Sequence, residues 1–191
     1  MRFSLLCAAA CAAAFLFLGG CATAPETSTE RADLTNDAQA ALADFRAQDP
    51  SLDNVLNNSY GYAIFPSVGK GAAGIGGAYG QGEVFQQGNR VGYTDMTQAT
   101  VGAALGGQSF AELIVFRTRE ALENFEAGQT TFTADASAVA INSGAAANAK
   151  WAHDVVVFTY VKGGLMADAA IGGQSFKYEA RQQPQTQPAQ Q

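Results

Sequence analysis

Hydrophobic positions change period along this chain, and each period predicts a different element. A mostly apolar run from Phe3 to Leu18 comes first, behind a lone cation at Arg2. Leu34, Ala38, Ala41, Leu42 and Phe45 then recur at i, i+4, i+7, i+8 and i+11, the stripe of an amphipathic helix. Asp49-Pro50 reads as an N-cap followed by proline at the first helical position. The short helix this predicts carries Leu52, Val55 and Leu56 and stops at Asn57-Asn58 and Gly61. From Tyr62 onward the pattern is that of strands: Tyr62 to Phe65, Ala72 to Phe85, Arg90 to Thr97, Thr100 to Phe116, Thr130 to Ile141, Val155 to Val161 and Leu165 to Tyr178. These stretches are rich in β-branched, aromatic and small residues, and Gly88-Asn89 and Lys162-Gly163-Gly164 supply turns between them. One helix interrupts the strands, with Thr118 as cap, Leu122 and Phe125 on one face and Gly128 just past its end.

Glycine is distributed unusually. Ala72, Gly74, Gly76, Ala78, Gly80 and Gly82 occupy successive even positions, so in a strand they share one face. That face has almost no side-chain bulk, and each strand glycine costs about 0.5–1 kcal/mol relative to alanine. Two readings fit. The segment is a strongly bent strand against which another element packs very closely, or it is a smooth groove in which an acyl chain or headgroup lies against bare backbone. An internal echo, Ala103 to Phe110 against Ala169 to Phe176, suggests strands in equivalent roles; two copies do not make a solenoid. The fold expected is α+β and mainly β: a strongly curved antiparallel sheet or partial barrel of Gly-rich strands, with N-terminal helices and one helix inserted mid-domain.

Composition sets the boundaries. The segment Ala22 to Glu30 is polar and Pro/Thr-rich, the composition of a tether. The tail from Arg181 is Gln/Pro low complexity with no apolar residue larger than alanine, too little to order itself. The expected organisation is a leader over 1–20, an anchored N-terminus and flexible tether over 21–31, one domain over 32–180 and a disordered tail over 181–191. A net charge of −6 argues against nucleic acid and against non-specific attraction to anionic lipid. Beyond Cys7, Cys11 and Cys21 the chain has no thiol, so disulfides are not expected to hold the domain together.

The chain is poor in recognisable catalytic chemistry. Gly69-Lys70-Gly71-Ala72-Ala73-Gly74 satisfies GxGxxG on letters alone, but the glycines run on into a strand where a dinucleotide fold needs a helix. A P-loop fails as well, because Ile64 stands where its first glycine belongs and Gly71 follows Lys70. His153 is the only histidine, beside Trp151 and Asp154, with no local motif to supply triad partners. No spacing of His, Cys, Asp and Glu suggests a zinc site. Asp33, Asp37 and Asp44 read as a solvated helix face. The expectation is no catalytic residue, no metal and no cofactor.

The apolar run ends in Leu18-Gly19-Gly20-Cys21. A charged start, a hydrophobic middle and small residues before a cut make a secretory signal, and the run is short for a bilayer, which takes ~20 apolar residues. With a cysteine directly after the cut, this segment resembles the lipobox of bacterial lipoproteins, with Gly19 a mild departure. The resemblance implies acyl chains on Cys21 as the mature N-terminus. Ala22, where aspartate would retain a lipoprotein at the inner membrane, implies the outer membrane, with the domain facing the periplasm.

A second resemblance covers nearly all of the domain. YAIFPSVGKGAAGIGGAYGQGEVF (Tyr62 to Phe85), Gly92-Tyr93, VGAALGGQSFAELIVF (Val101 to Phe116), TADASAVAI (Thr133 to Ile141) and KGGLMADAAIGGQSFKY (Lys162 to Tyr178) resemble, in order, the SYLF lipid-binding domain. The likeness implies a mostly β domain with helices against it and a phospholipid-related role. Eukaryotic members bind phosphoinositides, aided by a basic amphipathic N-terminal segment, and some bind actin. Here that segment is acidic, with only Arg31 and Arg46 as cations, so phospholipid association by the folded domain is what carries over. Lys70, Gly71, Gly74, Gly76, Gly77 and Gly80 are the expected lipid contacts, with Lys70 on a phosphate and the glycines admitting acyl carbons. The alternative is an envelope scaffold, anchored at Cys21, that recruits protein partners and binds no lipid.

Overall fold

The computed structural model describes residues 24–133 and 138–181, and backbone alone for parts of the last strands. The leader, Cys21 and nearly all of the Gln/Pro tail lie outside the described residues. Three strands of unusual length make the frame: β1 (Gly61–Gln86), β2 (Asn89–Phe116) and β5 (Val155–Ala180). They pair antiparallel in the order β1-β2-β5. Two short strands, β3 (Thr131–Thr133) and β4 (Ala138–Ala140), join the far edge of β5, antiparallel and parallel respectively. The sheet is curved and not closed, as the sequence pattern predicts.

The segments expected as separate strands are therefore continuous. β1 runs through Pro66, which an edge strand tolerates at its irregularity between Phe65 and Val68. Lys162-Gly163-Gly164 is not a turn: it lies within β5, where a register shift beside Ser109 and Phe110 absorbs the positive φ of Gly164. The hairpin turn falls one residue earlier than expected, at Gln87-Gly88, both with positive φ, the backbone of a two-residue turn matched to strand twist.

The ribbon of three strands doubles back on itself. β1 bends at Gly74, whose φ is 81°, and its second half returns across its first. A methyl on Gly82 would fall 2.5 Å from the Ile64 carbonyl oxygen, and one on Gly80 2.8 Å from Val68 Cγ2. Tyr62 stacks on Phe85 with ring centroids 4.9 Å apart. The even positions from Gly76 to Gly82 thus face inward, because the strand packs against itself and leaves no room for side chains, while Gly74 at the bend is exposed. Phe65, Met96, Ile114, Phe116 and Phe176 fill the space between the two layers.

Helices close the remaining faces. α1 (Ser28–Gln48) lays Ala38, Ala41 and Phe45 on the outer side of the first layer, against Ile64, Leu113, Val115 and Phe158. It begins inside the expected tether, since Thr27 and Glu30 form a capping box that satisfies the first-turn amides. α2 (Leu52–Asn57) starts after Ser51, not at Asp49-Pro50. Asp49 instead ends α1, and its buried carboxylate accepts from Ser51 and from the amide of Ala146 in a 3-10 turn at Ala146–Asn148. α3 (Arg119–Glu126) is capped by Thr118 and buries Leu122 and Phe125 over the open end of the core, as expected. The segment read as one strand over Thr130 to Ile141 carries β3 and β4 at its ends.

Candidate functional site

The bend of the ribbon is a protruding tip, and its outer face is the candidate site. Once the even positions of β1 turn inward, the odd ones turn out. Gly69, Gly71, Ala73, Ile75, Gly77 and Tyr79 on β1 are exposed, as are Ala99, Val101, Ala103, Leu105 and Gly107 on β2. These residues bear no charge. Ile75 is 76% exposed, Leu105 71% and Val101 67%, and Ile75 pairs directly with Val101 across the ladder. Ala73, Gly74, Ala103, Ala104 and Leu105 line a shallow, mostly apolar hollow at the crest. A large side chain held in water this way forfeits about 1.5–3 kcal/mol of burial, and a cluster of them marks an interaction surface.

The expected lipid contacts do not fall on one surface. Gly71 and Gly74 are exposed, and nothing lies within 4 Å of a methyl added to either. Gly77 is also exposed. Gly76 and Gly80 face the interior: a methyl on Gly76 would lie 2.6 Å from Ala72 Cβ and from Thr100 Oγ1, and Gly80 abuts Val68. Lys70 is half-buried and already engaged in a polar or electrostatic contact. Close packing thus accounts for Gly76, Gly80 and Gly82, while the bare outer face belongs to the odd positions and to Gly74 at the bend. Ile75, Val101 and Leu105 were not singled out by sequence reasoning. The available signal was a lone large aliphatic residue among glycines and alanines on each strand.

The interior beneath the tip is partly polar. Glu112, 1% exposed, accepts a 3.0 Å hydrogen bond from Gln174 Nε2, while its Oε1 has no partner. Burial pushes its carboxyl up to about 7, with the Gln174 bond pulling part way back. Gln98 pairs directly with Gln174 across the ladder, and the Thr100 hydroxyl is buried without a partner. This row separates the aromatic core from the small residues of the tip.

Nothing among the described residues assembles reaction chemistry. His153 sits exposed with φ 50° in the tight turn from Ala152 to Val155. Among the described residues no group of three His, Cys, Asp or Glu side chains could hold a metal. No helix among them is long and apolar enough to cross a membrane.

Residues 97–183 match the model of a family described as Ysc84, Las17-binding protein actin regulator, whose domain is the SYLF domain. The match takes in most of β2 and all of β5, including their share of the bend. The glycine-rich first strand lies before it. A curated relative, beta cell expansion factor A of Aeromonas veronii, is 26% identical over 154 residues, which is 80% of this chain and 59% of that protein. The chain therefore spans less than two thirds of that relative's length.

Proposed function

We propose that this chain is a non-enzymatic membrane-associated module whose apolar crest dips into the headgroup and acyl boundary of a phospholipid surface. The observation that carries the reading is the crest of Ile75, Val101 and Leu105, held in water at the bend of the ribbon with no charged residue among the described side chains exposed beside it on β1 and β2. The SYLF-type match, which takes in Val101 and Leu105 of the crest, supports it. In this reading Cys21 carries acyl chains and holds the module at the outer membrane of a bacterial envelope, and Gly71, Gly74 and Gly77 let backbone approach the lipid.

Magnitudes make the tip a weak anchor by itself. Burying three mostly exposed aliphatic side chains gives roughly 4–6 kcal/mol before the cost of association. One acyl chain alone binds only marginally, so tip and anchor act together. Flotation of protein lacking the first 21 residues on phosphatidylglycerol–phosphatidylcholine vesicles tests the reading. Wild type co-floats at high lipid concentration, and the double variant Ile75→Ser with Leu105→Ser stays in solution with an unchanged melting temperature. Wild type that fails to float, or a double variant that floats equally, overturns it.

The family description names a protein-binding role, which favours a second reading: a scaffold that recruits protein partners through the same apolar face. Stoichiometric crosslinking to a protein in intact cells, together with absence of vesicle binding, would select it.

A further inference from the structure

We infer that the pocket where α1 begins is a binding site for a phosphate group, held between Arg31, Arg90 and Arg181. Four arginines among the described residues pair with a carboxylate: Arg46 with Asp53, Arg90 with Glu83, Arg117 with Asp154 and Arg119 with Glu123. Arg31 and Arg181 do not, and both line the same 450 Å³ pocket. In a chain with net charge −6, two guanidinium groups outside any close ion pair and lining one pocket are a local concentration of positive charge, with Glu30 acting on Arg31 only through space.

The pocket is built from segments far apart in sequence, and its groups are positioned by other contacts. Arg31 donates from Nε to the Pro25 carbonyl at 2.8 Å and from NH2 to the Glu26 carbonyl at 3.2 Å. These bonds fix its plane without neutralising its charge. Arg90 donates to Glu83 and to Thr35 Oγ1, and its guanidinium carbon lies 5.2 Å from the centre of the Tyr93 ring. Arg181 is exposed at the end of β5, anchored through its own amide to the Val91 carbonyl. Glu179 is the one acid lining the pocket, and its Oε2 accepts from the Ala24 amide. Ser28 adds a hydroxyl from the first turn of α1.

This donor set fits phosphate better than carboxylate. Guanidinium groups present paired N–H donors that match phosphate and carboxylate oxygens. Several such groups around one pocket outnumber the oxygens of a single carboxylate, whereas a tetrahedral phosphate offers oxygens in several directions. The volume suits a small phosphate ester. The ester is either free in solution or the headgroup of a phospholipid. The pocket lies at the hairpin end of the ribbon, roughly 26 Å along β2 from the tip at 3.3 Å per residue, so the site stands independently of lipid contact at the tip.

Titration of the full chain with glycerol 3-phosphate, followed by calorimetry and by the arginine side-chain NMR signals, tests the inference. Wild type saturates, with the Arg31 and Arg181 signals shifting. The pair Arg31→Gln with Arg181→Gln weakens binding at least about tenfold. The pair Lys150→Gln with Lys177→Gln removes the same charge elsewhere and changes affinity less than about threefold. Arg181→Gln alone, at an exposed strand end, reports the same direction where the double variant fails to fold. Phosphatidylglycerol vesicles that displace glycerol 3-phosphate assign the site to a lipid headgroup; vesicles that do not displace it assign it to a free ester. No saturation by wild type, or equal losses in the two paired variants, overturns the site.

Discussion

Gln174 on the second half of β5 hydrogen-bonds Glu112 on the second half of β2, joining the two layers of the ribbon through its interior at 3.0 Å. The acid has no charged partner to offset its burial, so its folded pKa stands at about 7 against 4.5 in the open chain. A raised carboxyl pKa contributes its full share of stability below pH 4.5 and loses it as pH climbs through 7. The fold is therefore expected to weaken between about pH 5 and pH 8 by roughly 3 kcal/mol. Glu112→Gln keeps an amide partner for Gln174 and flattens that dependence. Chemical denaturation of both proteins across the pH window is the measurement.

Asp49 responds in the opposite direction. Burial alone would raise its pKa, but hydrogen bonds from the Ala146 amide and from Ser51 outweigh it and hold the carboxyl below its usual value. Its share of stability is present at neutral pH and is lost as pH falls through the acid range. Asp49→Ala leaves the Ala146 amide, bonded at 2.7 Å in the native protein, without its acceptor and costs about 1–3 kcal/mol. Hydrogen exchange at Ala146 should accelerate well before the β2 amides are affected.

Glycines on the two faces of β1 are expected to differ sharply. Gly82→Ala drives a methyl to 2.5 Å from the Ile64 carbonyl and 2.8 Å from Phe65 Cδ1, a backbone collision that costs about 1–3 kcal/mol or more. Gly71→Ala meets nothing within 4 Å and should stay within about 0.5 kcal/mol of wild type. Thermal melts of the two variants separate inward from outward positions along one strand.

Arg90 covers a carboxylate that has no exposed surface. Glu83 is 0% exposed and shares Arg90 with the Thr35 hydroxyl of α1. Arg90→Ala strands that charge and should destabilise the protein by about 3–5 kcal/mol. Replacing Glu83 by Gln in the same background should restore much of the loss, read as recovery of the denaturation midpoint.

Much of the architecture was legible because local signals and tertiary packing agree. The stripe from Leu34 to Phe45 became the buried face of α1, and Thr118, Leu122, Phe125 and Gly128 marked α3 with its cap and stop. The reversal of the ribbon was not legible. Period two shows which residues share a face, but not which face turns inward, and that was decided by β1 meeting its own first half. The sequence therefore groups Gly71, Gly74, Gly76, Gly77 and Gly80 as one lipid surface, whereas Gly76 and Gly80 pack against Ala72 and Val68 in the interior. Lys162-Gly163-Gly164 carries turn-forming residues, yet long-range pairing with Gln108 and Ser109 holds it extended. Glu112 left a visible trace, an acid inside the apolar run from Phe110 to Phe116. The arginine pocket left none, since Arg31, Arg90 and Arg181 meet only in three dimensions.

A ribbon that supplies both layers from the same three strands has one register to get right. The first rung beside the Gln87-Gly88 turn is Gln86 with Asn89, and the last is Gly61 with Phe116. The ladder is continuous from that turn past the crest and down the other side, so each rung depends on the register of the one before it. A slip of a single position would invert both layers together, exposing aromatic residues and burying the arginine-bearing edge. The irregularities at Phe65/Val68, Ala73/Ile75 and Val84/Phe85 act as notches against such a slip, so their loss should appear as misfolded, aggregating chains well before it appears as a lower melting point.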